Sequence, residues 1–102
     1  MLVYVESPYA GNVAENLAYL KLCLIQVITE GHNPYASHLF FTQFLDDNDP
    51  VQRKVGITLG NQWRLYCEET HFFVDLGWSA GMQEAYAMCY ANNYPHRVRR
   101  LK

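Results

Sequence analysis

The chain has 102 residues, 50% hydrophobic, 15% aromatic and 18% charged, a profile that excludes disorder and predicts a single globular domain over residues 1–102. Its formal net charge of −2 gives bulk electrostatics no case for a nucleic-acid partner. No apolar run approaches the roughly 20 residues of a membrane span, and "MLVYVESPYAG" lacks the basic start of a signal peptide.

In chain order, "LVYV" is apolar and rich in β-branched and aromatic residues, and "SPYAGN" stops it, so it predicts a buried first strand. From Asn12 to Glu30, apolar residues at Val13, Leu17, Leu20, Leu24 and Val27/Ile28 keep the three-to-four spacing of an amphipathic helix, and Gly31 supplies its stop. "NPYASHLF" predicts a second strand running into a loop. In "FLDDNDP", Asp49 is a capping residue and Pro50 suits a first helical turn, so a helix follows from about Val51 to Cys67. "THFFVDL" predicts the third strand, and "SAGMQEAYAMCYANN" a helix with Ser79 as its N-cap. "HRVRRL" alternates as a last edge strand would.

This β-α-β-α-β-α-β order predicts an α/β fold: a small Rossmann-like (flavodoxin-like) three-layer domain with a mostly parallel sheet of about four strands. Ligands of such sheets sit beyond the carboxyl ends of the strands. Three loops leave those ends and should surround one crevice. In the first, Ser7, Pro8 and Gly11 permit close backbone approach beside Tyr9, and the helix behind offers N–H groups to an anion. The second brings His38, Gln43, Asp46 and Asp47. His32 and His38 match no metal spacing with any acid, so neither a metal nor another cofactor is expected. In the third, the Ser79 cap places Glu84 in the second turn on the face of Gly81, whose missing side chain leaves room beside the acid, with Met82 between them.

Other features are less directive. The eight tyrosines favour pockets and interfaces. Residues 1–51 hold six acids and only Lys21 as a base, whereas "HRVRRLK" holds four of the eight basic residues and reads as a solubilising edge. Cys23, Cys67 and Cys89 are odd in number and widely spaced. Cys23 and Cys89 fall in helical apolar patterns, as buried reduced thiols of an intracellular protein would.

The stretches "VYVESPYAGNVAENLAYLK", "EGHNPYASHLFFTQFLDDNDPVQRKVGITLG" and "FFVDLGWSAGMQEAYA" together resemble the nucleoside 2-deoxyribosyltransferase-like superfamily, in particular its short bacterial and phage members. The motif shared with the enzymes is Ser-x-Gly-x-x-Glu at Ser79, Gly81 and Glu84. The resemblance implies that Glu84 attacks the anomeric carbon of a deoxyribose and that Asp75 orients or protonates the base. It places Ser79 against a sugar hydroxyl or the 5′ group and lines the nucleoside with "SPYAG". It further implies hydrolysis of a nucleoside or its monophosphate, or base exchange between nucleosides, in the cytoplasm (the host's, for a phage gene). The alternative is a non-catalytic binder that sequesters a nucleotide, such as a nucleotide-derived immune signal. In either case a homodimer or higher symmetric oligomer is expected, because a neighbour covers both apolar surface and ligand.

Overall fold

The computed structural model describes residues 1–102. Its elements are β1 (Leu2–Glu6), α1 (Val13–Thr29), β2 (Asn33–Tyr35), the single-turn 3-10 helices Ser37–Leu39 and Phe41–Gln43, α2 (Pro50–Tyr66), β3 (Glu69–Phe73), α3 (Ala80–Ala91) and β4 (His96–Arg99). The four strands form one sheet in the order β2-β1-β3-β4, and every pairing is parallel. Crossovers in a parallel sheet carry helices onto its faces, which gives the expected three-layer α/β architecture. No helix is long and apolar enough to cross a membrane.

Strand pleating divides the residues between the two faces. Val3, Val5 and Phe73 point towards α1 and pack with Tyr19, Leu20, Cys23 and Val27. On the opposite face, Phe72 and Val74 pack with Met82 and Cys89 of α3. Tyr4 and Glu6, one residue out of phase with Val3 and Val5, therefore lie under α2 and α3. Gly60 lets α2 come down onto this face, since a Cβ there would stand 2.8 Å from the Tyr4 hydroxyl.

Each helix start follows its local sequence. Asn12 accepts from the Glu15 amide at 3.2 Å, Asp49 from Val51 at 2.9 Å, and Ser79 from Met82 at 3.1 Å. Pro50 opens α2, where its missing N–H costs nothing. Gly31, just beyond α1, has φ +90, the left-handed conformation in which glycine carries no Cβ penalty.

Three strand boundaries differ from expectation, one being that of β4, which ends at Arg99 short of Leu101. The second strand ends at Tyr35, and "SHLFFTQ" coils into two 3-10 turns rather than continuing as a loop. These close through Leu39 N–H to Ala36 O and Phe44 N–H to Phe41 O, at 3.1 and 3.2 Å. The third strand ends at Phe73, before "VDL".

Candidate functional site

β1 sends the chain through α1 to β2 on one side, while the return through α2 enters β3 on the other. Such a reversal opens a crevice at the carboxyl ends of the central strands. Here that crevice encloses about 350 Å³. Two helix faces oppose each other across it. α2 contributes Arg53, Ile57, Asn61 and Arg64, and α3 contributes Gly81, Glu84, Ala85 and Met88, both at helical spacing. Tyr4 and Glu6 form the floor, two residues apart on one strand face.

All three loops reach the crevice, through Tyr9 and Ala10, through Ser37, His38 and Asp47, and through Ser79 and Ala80. The first loop is tied back by Asn16, whose Nδ2 donates to the carbonyls of Tyr9 and Ala10 at 2.9 and 3.1 Å. Tyr9 then stacks on His38, with ring centroids 4.9 Å apart and planes 18° from parallel. Burial pushes the His38 imidazole below its usual range, against the pull of the Glu6 and Asp47 carboxylates. The shift disfavours the protonated ring beside Tyr9.

The floor is a polar network. Arg64 is almost wholly buried and pairs with Glu6 through Nη2. Its Nη1 donates to Thr70 Oγ1 at 3.1 Å and its Nε to Asn61 Oδ1 at 3.4 Å, while its guanidinium carbon lies 4.1 Å from the Tyr4 ring centroid. Burial, and then the Glu6 carboxylate, hold the Tyr4 phenol far above its usual range. It remains an O–H, 2.6 Å from Ser37 Oγ.

Of the residues singled out from sequence, Tyr9, His38, Asp47, Ser79, Gly81, Met82 and Glu84 line this crevice. Glu84 is exposed at its wall and joins none of the chain's ion pairs. Ser7, Pro8, Gly11, Gln43, Asp46 and Asp75 lie outside the lining. Ser7 continues the α1-facing parity of Val3 and Val5. Asp75 has been taken by other partners: Tyr19 of α1 donates its hydroxyl at 2.5 Å, and the Leu101 and Lys102 amides donate at 2.9 and 3.3 Å. The Tyr19 hydroxyl, followed by the Leu101 amide, holds the Asp75 carboxyl below its usual range. Asp75 clamps the C-terminal segment to α1 and does not face the crevice with Glu84.

Sequence reasoning passed over Tyr4, Glu6, Arg53 and Arg64. The available signal was parity for Tyr4 and Glu6, and the i, i+4, i+11 spacing of Arg53, Ile57 and Arg64 on one α2 face. No three His, Cys, Asp or Glu side chains converge as a metal site would require.

Residues 1–99 match the family described as Domain of unknown function (DUF7768). The chain belongs to this family. No curated protein sequence matches it. Among solved structures, it is similar to a 2-deoxyribosyltransferase from the psychrotolerant bacterium Bacillus psychrosaccharolyticus, described as a biocatalyst for the synthesis of antiviral and antitumoral nucleosides. The TM-score is 0.77 at 13% identity, over 98% of this chain and 72% of the other. At that identity the two share a fold.

Proposed function

We propose that this domain binds a nucleoside or nucleotide in the crevice between α2 and α3 and acts on its N-glycosidic bond. One observation carries the reading: Glu84, the last residue of the Ser-x-Gly-x-x-Glu motif, presents its carboxylate to a crevice of about 350 Å³ at the sheet's reversal point. That volume falls within the range of small-molecule sites, and the fold shared with a 2-deoxyribosyltransferase supports the substrate class.

In the reaction, the bond from C1′ to the base nitrogen breaks and its electron pair leaves with the base, which takes up a proton from solvent water. Positive charge builds on the sugar, and the Glu84 carboxylate stabilises it and bonds to C1′. Water then releases the sugar, or a second base attacks C1′ and regenerates the carboxylate. Gly81, one turn before Glu84, keeps the approach open, and the Ser79 hydroxyl at the helix start lies within the same lining.

The second reading is a binder that sequesters a nucleotide without cutting it. Asp75 favours this reading, because its ties to Tyr19 and the C-terminal backbone keep it from protonating a departing base. The test incubates the protein with nucleosides, deoxynucleosides and their monophosphates and follows free base by chromatography. Wild type should release or exchange base. Glu84→Gln, which keeps shape but removes the attacking charge, should lower turnover by orders of magnitude with little change in affinity. Tight binding with no free base from wild type would replace cleavage with sequestration.

A further inference from the structure

Glu6 is a carboxylate at the end of an otherwise apolar strand, with only 8% of its surface exposed. Burying such a charge is costly unless it is paired, and Arg64 supplies the pair. The pairing is one-sided, however. A guanidinium facing a carboxylate can engage both oxygens in parallel. Here Arg64 reaches only Oε1, and spends Nη1 on Thr70 and Nε on Asn61. No protein hydrogen bond ends on Glu6 Oε2. This atom is not sealed in either, since the only fully buried side-chain polar atoms lacking a partner are Ser7 Oγ and Tyr35 Oη. Glu6 lines the crevice, so its unspent acceptor faces the ligand space.

The neighbouring floor groups are partly committed, Arg64 through three of its five N–H donors. The Tyr4 hydroxyl is bonded with Ser37, and Arg64 serves three protein acceptors. A ligand carbonyl brought to Glu6 Oε2 meets a carboxylate lone pair and is repelled. An N–H donor meets its complement in a partly dry site, where a bond to a charged acceptor is stronger than one between neutral groups. The crevice walls include Ile57, Ala85 and Met88, which suit a flat ring, and Glu84 stands exposed in the same lining.

We infer that Glu6 is the specificity residue of the crevice, its free oxygen accepting a hydrogen bond from an exocyclic amino group of the bound base. The inference rests on the nucleoside reading above and narrows it to amino-bearing bases.

Isothermal calorimetry on matched ligand pairs tests it: deoxyadenosine against the purine deoxyriboside lacking the amino group, and deoxyguanosine against deoxyinosine. Wild type should bind the amino member of at least one pair on the order of tenfold more tightly, the scale expected of one charge-assisted hydrogen bond. Dimethylating that amino group should cost as much as deleting it. In Glu6→Gln the amide oxygen must turn to Arg64, leaving an NH₂ towards the ligand, so the preference should vanish or reverse. Glu6→Asp keeps the charge beside Arg64 but withdraws it by one methylene, and should weaken the preference if the glutamine variant fails to fold. Equal binding of both members of each pair by wild type would overturn the inference and leave the nucleoside reading standing. A preference undiminished in either folded variant would do the same. Failure of wild type to bind any nucleoside or nucleotide would remove both.

Discussion

Arg64 and Glu6 are joined across 58 positions of sequence, and each supplies the counter-charge of the other where both are buried. Arg64→Met leaves a buried carboxylate without its counter-charge, an effect that typically costs about 3–5 kcal/mol. Combining it with Glu6→Leu removes both charges and should restore most of that loss, because the pair contributes little net stability over apolar residues of similar volume. Urea unfolding of the two single variants and the double variant gives the coupling directly, and additive losses would contradict it. This pair also shows where single-sequence reading stops at the residue scale. The position of Glu84 on the crevice wall was legible because Ser79 caps its helix and fixes which way the second turn points. Glu6 was not, because one acid after "LVYV" reads as the end of a strand until its partner is known. Asp75 shows the reverse: its place after a strand was visible, but its bond to Tyr19, 56 positions away, was not.

Among the elements, the helices were readable because caps and apolar spacing are local properties. Asp49 was identified as a cap from "DNDP" alone, and its side chain accepts from the amides of both Val51 and Gln52, at 2.9 and 3.4 Å. Asp49→Ala should therefore destabilise the domain by about 1 kcal/mol, read as a lower thermal midpoint. Ligand affinity should hold, since Asp49 is not part of the crevice lining. An unchanged midpoint would mean that tertiary contacts alone hold this end of α2. The stretch 37–43 was harder to place. Its turns are stabilised by packing of Phe41 rather than by any periodic pattern. Phe41 is buried and shares edge-to-face contacts with Phe40 and Phe44, at centroid distances of 5.0 and 6.1 Å. Two short turns around an aromatic cluster produce neither an alternating nor a helical signal, so "SHLFFTQ" could be read only as loop.

At the scale of the whole molecule, the apolar residues that the core leaves outside need covering. Phe40 and Phe44 are 48% and 60% exposed, and their cluster sits against α2, where a Cβ on Gly56 would lie 3.8 Å from Phe41 Cβ. On α2, Val51 and Val55 are exposed as well, and Phe41 shares a small cavity with the crevice residues Ser37, His38, Asp47 and Arg53, so the ring cluster adjoins the crevice. A second stripe, Leu22, Ile25 and Ile28 of α1, lies on the opposite side of the sheet. Large contiguous apolar patches are uncommon on monomers, and aromatic residues are enriched at interface centres. We propose that the domain forms a homodimer through the Phe40/Phe44 surface, because a neighbour seated there lies beside the ligand as well as over exposed rings. A two-fold arrangement makes one patch serve both copies. Light scattering at micromolar concentration should then give twice the 11.9 kDa of the chain. Phe44→Glu should return it to monomer and weaken ligand binding while circular dichroism stays unchanged, and Ile25→Glu should affect neither assembly nor ligand. A wild-type mass of one chain would refute the dimer. Dissociation by Ile25→Glu instead of Phe44→Glu would move the interface to α1, away from the crevice, and leave each chain to bind its ligand alone.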